Sequence, residues 1–329
     1  ERRPMKVLVT GANGFIGKAL VRRLIGTGTI ADQSISRLDL LDVHFDAPLH
    51  QPGVARIEGS VSDHDALRRA LAGSPDCVFH LACIAGGAAE ANYDLSLEVN
   101  LKGTLHLLET LRALQQSPIL VYTSSIGVYG RLPELVTDDT PAAPTWTYGY
   151  HKFIGELLMA DYTRRNWVDS RTIRLPGIVV RPPANVGALS AFMSDIIREL
   201  AAGRPYSCPV SAEATAWWMS VECCVDNLLH AASIPAGRLG AQRCWMLPAM
   251  RFSMGELVDG LADEYGPAVR SLIKYSPNAD IEERFGRLPK MHVPRAEETG
   301  FKHDGSIAAL IKRALPQTSD RILQSTGAH

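Results

Sequence analysis

Long apolar runs are missing from this 329-residue sequence, and none approaches the roughly 18 residues that a membrane-spanning helix needs. An excess of one charge is missing too: 34 basic side chains stand against 35 acidic ones, for a net charge of -1. A nucleic acid or an anionic membrane is therefore not an expected partner. Metal and disulfide signatures are absent, because Cys77, Cys83, Cys208, Cys223, Cys224 and Cys244 show no CxxC or CxxH spacing. Most lie in apolar company and read as reduced core residues, so no metal is expected. The sequence passes from ERRPM straight into KVLVT without a signal-peptide core, which gives the expectation of a cytoplasmic protein. Repeats and low-complexity tracts are also lacking. What remains is an ordinary globular composition, 46% hydrophobic and 21% charged, in a chain long enough for one large domain with a smaller companion.

From Met5 to about Arg181, short β-branched runs (KVLVT, SRLDLLDV, VARIEG, DCVFHLA, ILVYTSS and RTIRLPGIVV) alternate with segments of helical apolar spacing. That alternation predicts an α/β fold with a doubly wound parallel sheet. The rhythm then breaks at RPPANVG. Helical pieces follow around residues 191–202 and 222–232, in a region expected to form a lid over the sheet's C-terminal edge.

TGANGFIG follows the first strand and opens a helix through Leu20, Leu24 and Ile25. In a dinucleotide site, Gly11 makes the tight turn, Gly14 lets pyrophosphate approach, and Gly17 packs helix on strand. The anion then rests on the free amides of that helix. The second strand ends at Asp42, placed to accept from both ribose hydroxyls and to repel a 2′-phosphate, which favours NAD over NADP. Asp39 is the alternative, mid-strand and pointing elsewhere.

The stretch YGYHK places Tyr148 and Lys152 four apart on one helical face, with Tyr150 pointing away. A phenol has a pKa near 10 and needs to fall by about 3 units, or roughly 4 kcal/mol, to act as a base near neutrality. An ammonium at about 4 Å supplies close to that at an effective dielectric near 20. A hydroxyl donor at the end of ILVYTSS completes the set, and strand alternation lets only one of Ser124 and Ser125 face the cleft. His151 reads as a solvated helix residue.

In this order the glycine turn, Asp42, HLA at 80–82, Asn100 in VNLKGT, TSSIGVYG and YGYHK resemble the extended short-chain dehydrogenase/reductases across essentially the whole chain. The resemblance implies a Rossmann domain over residues 5–180, with 221–234 packing back on it. A substrate-binding lid is implied over 181–220 and 235–329. It makes Ser125 the catalytic serine, Tyr148 the acid/base and Lys152 the residue that binds the nicotinamide ribose. Asn13, Phe15, Ile16, Leu81, Ala82, Cys83, Asn100 and Pro176 fall against NAD. Ser60 and Val61 stand where relatives carry an adenine-binding aspartate. Ile126 and Gly127 replace the Asp-Glu pair of dehydratases, and Pro176-Gly177 replaces the Phe-Asn pair of sugar-nucleotide epimerases.

The stretches TYGYHKFIGELLMADYTRR, RLPGIVVRP and AEETGFKHDGSIAALI resemble the branch containing D-erythronate dehydrogenase. The implied reaction is hydride transfer from a secondary alcohol to NAD, with a sugar-nucleotide epimerase and an aryl-alcohol dehydrogenase as alternatives. Gly86 and Ala88 stand where that branch carries a serine and an acidic residue, and Thr215 and Ala216 where it carries a basic one. The substrate, an alcohol or ketone, is therefore expected to be less acidic or bulkier than erythronate. Gly86, Arg181, Asn185 and Trp217, or its neighbour Trp218, are the candidate substrate contacts. Relatives pair through two helices, and Leu97, Leu101 and Leu108 with Ile154, Leu157 and Leu158 form stripes compatible with a homodimer.

Overall fold

The computed structural model describes residues 3–46, 48–183 and 189–315. Up to residue 180 the strands are β1 (Met5–Thr10), β2 (Thr29–Ile30), β3 (Gln33–Asp42), β4 (Val54–Glu58), β5 (Cys77–His80), β6 (Ile119–Ser125), β7 (Leu135–Thr137), β8 (Asp169–Leu175) and β9 (Gly177–Val179). The helices between them are α1 (Phe15–Thr27), α2 (His64–Leu71), α3 (Gly86–Ala91), α4 (Tyr93–Ser96), a π turn (Leu97–Gly103), α5 (Thr104–Leu114) and α6 (Thr147–Arg164). The rest of the chain adds β10 (Tyr206–Cys208), β11 (Thr215–Ser220), β12 (Cys244–Met246), β13 (Met250–Ser253), β14 (Ile273–Tyr275) and β15 (Lys290–His292). Its helices are α7 (Phe192–Ala201), α8 (Val221–Ser233), α9 (Met254–Tyr265), α10 (Ala279–Phe285), α11 (Pro294–Thr299) and α12 (Ile307–Ala314).

Seven strands run parallel in the order β12-β8-β6-β5-β1-β3-β4, with β2 antiparallel on β3. The direction of winding reverses between β1 and β5, and at such a switch point the loops diverge and leave a crevice. Buried β-branched and aliphatic runs explain these strands: all four residues of β5 and nearly all of β1 and β8 are covered on both faces. Helix α2 starts where Asp63 accepts the amides of Asp65 and Ala66, and packs Ala66, Leu67, Ala70 and Leu71 inward.

One predicted strand is two. RTIRLPGIVV divides at Pro176, which has no amide to continue a ladder, so β8 stays in the main sheet while β9 joins a second sheet, β13-β11-β9. That second sheet, with α7, α9 and α12, encloses its own apolar cluster around Phe192, Ile196, Trp218, Leu257 and Leu310. Helix α8 instead packs Cys224, Val225, Leu228 and Ala231 into the cluster on the main sheet. The two regions are also strapped together where β7 pairs with β15. Among the described residues, no helix is long and apolar enough to cross a membrane, and no three or more His, Cys, Asp or Glu side chains cluster as metal ligands.

Candidate functional site

The glycine turn is held by β3: the amides of Gly11 and Ala12 donate to Leu41 O at 2.9 and 3.3 Å. Gly11 has a positive φ of 68°, and a Cβ on it would lie 2.7 Å from Ala82 N. A Cβ on Gly17 would lie 2.0 Å from Gly11 O, so only glycine lets α1 approach this closely. Gly14 caps α1 without a side chain, and the first turn carries no acidic residue, which leaves that end open to an anion. Asn13 donates its amide to Asp42 Oδ2 at 2.8 Å, so the carboxylate at the end of β3 stands beside the turn. Asp39 faces elsewhere, buried and bound to Arg37 through two hydrogen bonds of 2.7 and 3.0 Å. Phe15 and Ile16 pack on the core beneath the turn. Ser60 hydrogen-bonds Ser62 after β4, and Val61 is buried beside Gly103.

The loop after β5 is fixed from below by side chains that the sequence reading did not single out. Thr104 Oγ1 donates to Asn100 O at 2.7 Å, so it must accept from His80 Nε2–H, 2.9 Å away. His80 Nδ1 is then an acceptor, taking the Thr10 hydroxyl at 2.7 Å, while Thr10 Oγ1 accepts the Ala82 amide at 3.3 Å. Every donor in this buried chain points the same way. Burial, and then the Lys152 charge, push the His80 imidazole down to about 3, which keeps it neutral as the chain requires. Asn100 faces the same loop from the π turn, where its amide binds Ile84 N and O at 2.7 and 2.9 Å. It thus holds the backbone next to Cys83, with both ends of its amide engaged.

Alternation along β6 separates the two serines. Ser124 is buried and donates to Glu156, which in turn holds Arg174 through bonds of 2.9 and 2.7 Å. Ser125 points the other way, caps the following turn through Gly127 N at 3.1 Å, and reaches the Tyr148 phenol. Lys152 lies on the same face of α6 as Tyr148, its ammonium 5.8 Å from the phenol ring centroid. That ammonium donates to Thr123 O at 2.7 Å and covers the Tyr122 ring at 4.9 Å.

The anticipated drop in the Tyr148 pKa does not appear. Burial of the hydroxyl and the nearby Cys83 thiol push the phenol up, against a hydrogen bond from Ser125 and the charge of Arg181, which lower it. The Lys152 ammonium is drawn to the Thr123 carbonyl instead, so desolvation outweighs the opposing charges.

His151 corrects a second expectation: it is buried at 4% exposure, close to Tyr93, rather than solvated. Burial lowers its pKa. Trp217 is fully enclosed, with its indole N–H on Pro289 O at 2.7 Å, and Trp218 is enclosed too, so neither borders the cleft. The tryptophan beside the phenol is Trp146, whose ring meets that of Tyr148 edge-on at 5.7 Å. Only its place at the start of α6 could have signalled it. Arg181 is exposed, bound through its backbone to Ser194 and Arg198. Among the described residues its guanidinium has no carboxylate partner. Pro176 is buried at the break between β8 and β9. Gly86 opens α3 with φ 47°, and Asn185 lies outside the described residues.

Comparison with known proteins identifies similar chains. A D-erythronate dehydrogenase of Cupriavidus necator is 39% identical over 94% of this chain and 97% of its own length. Another from Haemophilus influenzae is 32% identical over 94% and 98%. The crystal structure of the nucleoside-diphosphate-sugar epimerase from Agrobacterium tumefaciens superposes with a TM-score of 0.88 at 32% identity, covering 94% of this chain and 95% of that one. Residues 7–237 match the NAD dependent epimerase/dehydratase family, and with these relatives the match establishes that the chain belongs to that family.

Proposed function

We propose that this protein is an NAD-dependent dehydrogenase that oxidises the secondary alcohol of a short hydroxy acid. The observation that carries this reading is the convergence of Ser125, Tyr148 and Lys152 with an Arg181 guanidinium whose charge reaches the phenol and which no described carboxylate neutralises. Such a cation suits a substrate carboxylate. The relatives named D-erythronate dehydrogenase support a sugar acid as the natural class. This departs from the less acidic substrate anticipated from Thr215 and Ala216, since the cation comes from another segment.

The residues fit a dinucleotide. The backbone approach at Gly11 and Gly17 leaves no space for a Cβ, the α1 terminus is free of acidic residues and would take a pyrophosphate, and Asp42 beside the turn would accept from ribose hydroxyls. NAD supplies, when bound, the acceptor for the hydride. Ser125 holds the substrate oxygen by a hydrogen bond, and Tyr148 Oη moves the hydroxyl proton. Lys152, on the same face of α6 as Tyr148, would bind the ribose hydroxyls. Arg181 and Ser125 favour the phenolate, while burial opposes it. Oxidation therefore rises toward alkaline pH, because the phenol must first lose its proton.

The test supplies NAD with hydroxy acids and neutral alcohols and follows absorbance of the reduced cofactor. Tyr148→Phe and Ser125→Ala should lower turnover by about 10²-fold or more while leaving NAD affinity within twofold or so of wild type. Turnover with no secondary alcohol, or tightly retained cofactor without net reduction as in an epimerase, overturns the reading. We place this activity in the cytoplasm, where the six free thiols would stay reduced.

We also propose a homodimer formed through α5 and α6. Tyr150 (53% exposed) and Leu157 (56%) lie with half-buried Ile154 along one stripe of α6, beside exposed Leu105 of α5. Leu108 instead faces the core, fully buried.

A further inference from the structure

We propose that Trp146 is the specificity-determining wall of the substrate cleft, limiting it to compact alcohols and fixing the angle of the Tyr148 ring. Trp146 occupies the N-cap of α6 and offers its helix no side-chain hydrogen bond. Ser, Thr, Asp or Asn at such a position typically adds about 1 kcal/mol. The capping role has passed to Glu90 of α3, whose carboxylate accepts the Thr147 amide and, at 3.3 Å, the Thr147 hydroxyl. Capping therefore does not account for a tryptophan here.

Its indole contacts do. Nε1–H donates to Gly127 O at 3.1 Å, two residues after Ser125. A Cβ on Gly127 would come within 3.2 Å of the ring, and one on Gly86 within 4.0 Å. The indole thus lies against two loops that have no side chains of their own where they meet it, and its area substitutes for theirs. On one side it stands edge-on to the Tyr148 ring at 5.7 Å and 72°. On the other it meets Phe285 of α10 at 6.5 Å and 69°. Trp146 and Phe285 together close the space between the phenol and the C-terminal region. The ring stands beside the phenol assigned to proton transfer, where it would bound the space left to the substrate. It is only half-buried, which leaves part of its apolar surface uncovered by described residues.

A rigid indole is a strong size filter, since one extra methylene against such a wall changes the rate about 10-fold or more. The inference rests on the alcohol-oxidation reading above. Its test compares wild type, Trp146→Ala and Trp146→Phe with NAD and a series from four-carbon hydroxy acids to aryl-substituted ones. Trp146→Ala should lower kcat/KM for the smallest acid and shift the small-over-bulky ratio by at least about 10-fold. Trp146→Phe, which keeps a wall and loses the bond to Gly127 O, should retain most of the selectivity. Equal losses across the series would mean a structural role only and overturn the proposal.

Calorimetric titration of the same acids into the Tyr148→Phe protein loaded with NAD, with and without Trp146→Ala, reads the filter without turnover. Small acids should bind the parent at least about tenfold more tightly than bulky ones, and the double variant should lose that preference. If wild type turns over no alcohol, the functional reading fails by itself. Size-independent binding then overturns the wall as well.

Discussion

His80 illustrates how a single buried side chain is committed to one protonation state. Its two nitrogens complete the run from the Ala82 amide to the Asn100 carbonyl, and burial pushes its pKa from 6.5 down to about 3. The sign of the linkage follows: above pH ~6.5 the imidazole is neutral in both folded and unfolded chains and does not affect pH dependence. Below that the unfolded chain takes up a proton that the folded one refuses, so stability falls as pH falls from about 6.5 toward 3, by up to about 1.4 kcal/mol per unit. Urea unfolding of wild type and His80→Gln between pH 7 and 5 checks this. The variant, whatever its absolute stability, should show the shallower acid slope, and equal slopes would remove His80 as the cause. None of this was legible in HLA, because a histidine's partners come from β1 and from α5, over 20 residues away in either direction.

At the scale of elements, α1 depends on a contact that leaves no space. A Cβ at position 17 would lie 2.0 Å from Gly11 O and 2.9 Å from the Ala12 backbone. Gly17→Ala must therefore push α1 off the glycine turn, at about 1–3 kcal/mol for overpacking and more where backbone cannot yield. Thermal unfolding should show a lower Tm, and NAD titration a loss of affinity of about 10-fold or more, as the amides at the helix end turn away. Gly26→Ala, whose Cβ would meet nothing within 4 Å, is the control that should change neither. Strands and the turn were readable because apolar runs and glycine spacing are local signals. The break at Pro176 has a local signal as well, since a proline inside a β-branched run cannot continue a ladder. The α3 clamp on α6 through Glu90 has no local signature, since it joins residues 57 apart in sequence.

For the whole molecule, the proposed dimer makes a direct prediction. Tyr150, Ile154 and Leu157 repeat at helical spacing on a surface that no described element covers. Sedimentation of wild type should give a dimer at micromolar concentration, and Leu157→Glu, which sets a charge on the apolar stripe, should give a monomer with its fold retained. A monomeric wild type at that concentration removes the proposal. The near balance of 34 basic and 35 acidic residues gives such a surface no long-range repulsion to overcome.

The sequence by itself determined the parallel sheet, the dinucleotide turn, Asp42 at a strand end and the shared face of Tyr148 and Lys152, because each rests on spacing within one element or at one junction. Tertiary structure alone decided that Ser124 turns to Glu156 while Ser125 turns to Tyr148, and that Lys152 binds Thr123 O. It alone buried His151 and Trp217 and brought Trp146 against the Tyr148 ring. The reason is physical: periodicity fixes which way a side chain leaves its own backbone. Its burial, charge environment and partners are set by elements that pack there from elsewhere in the chain.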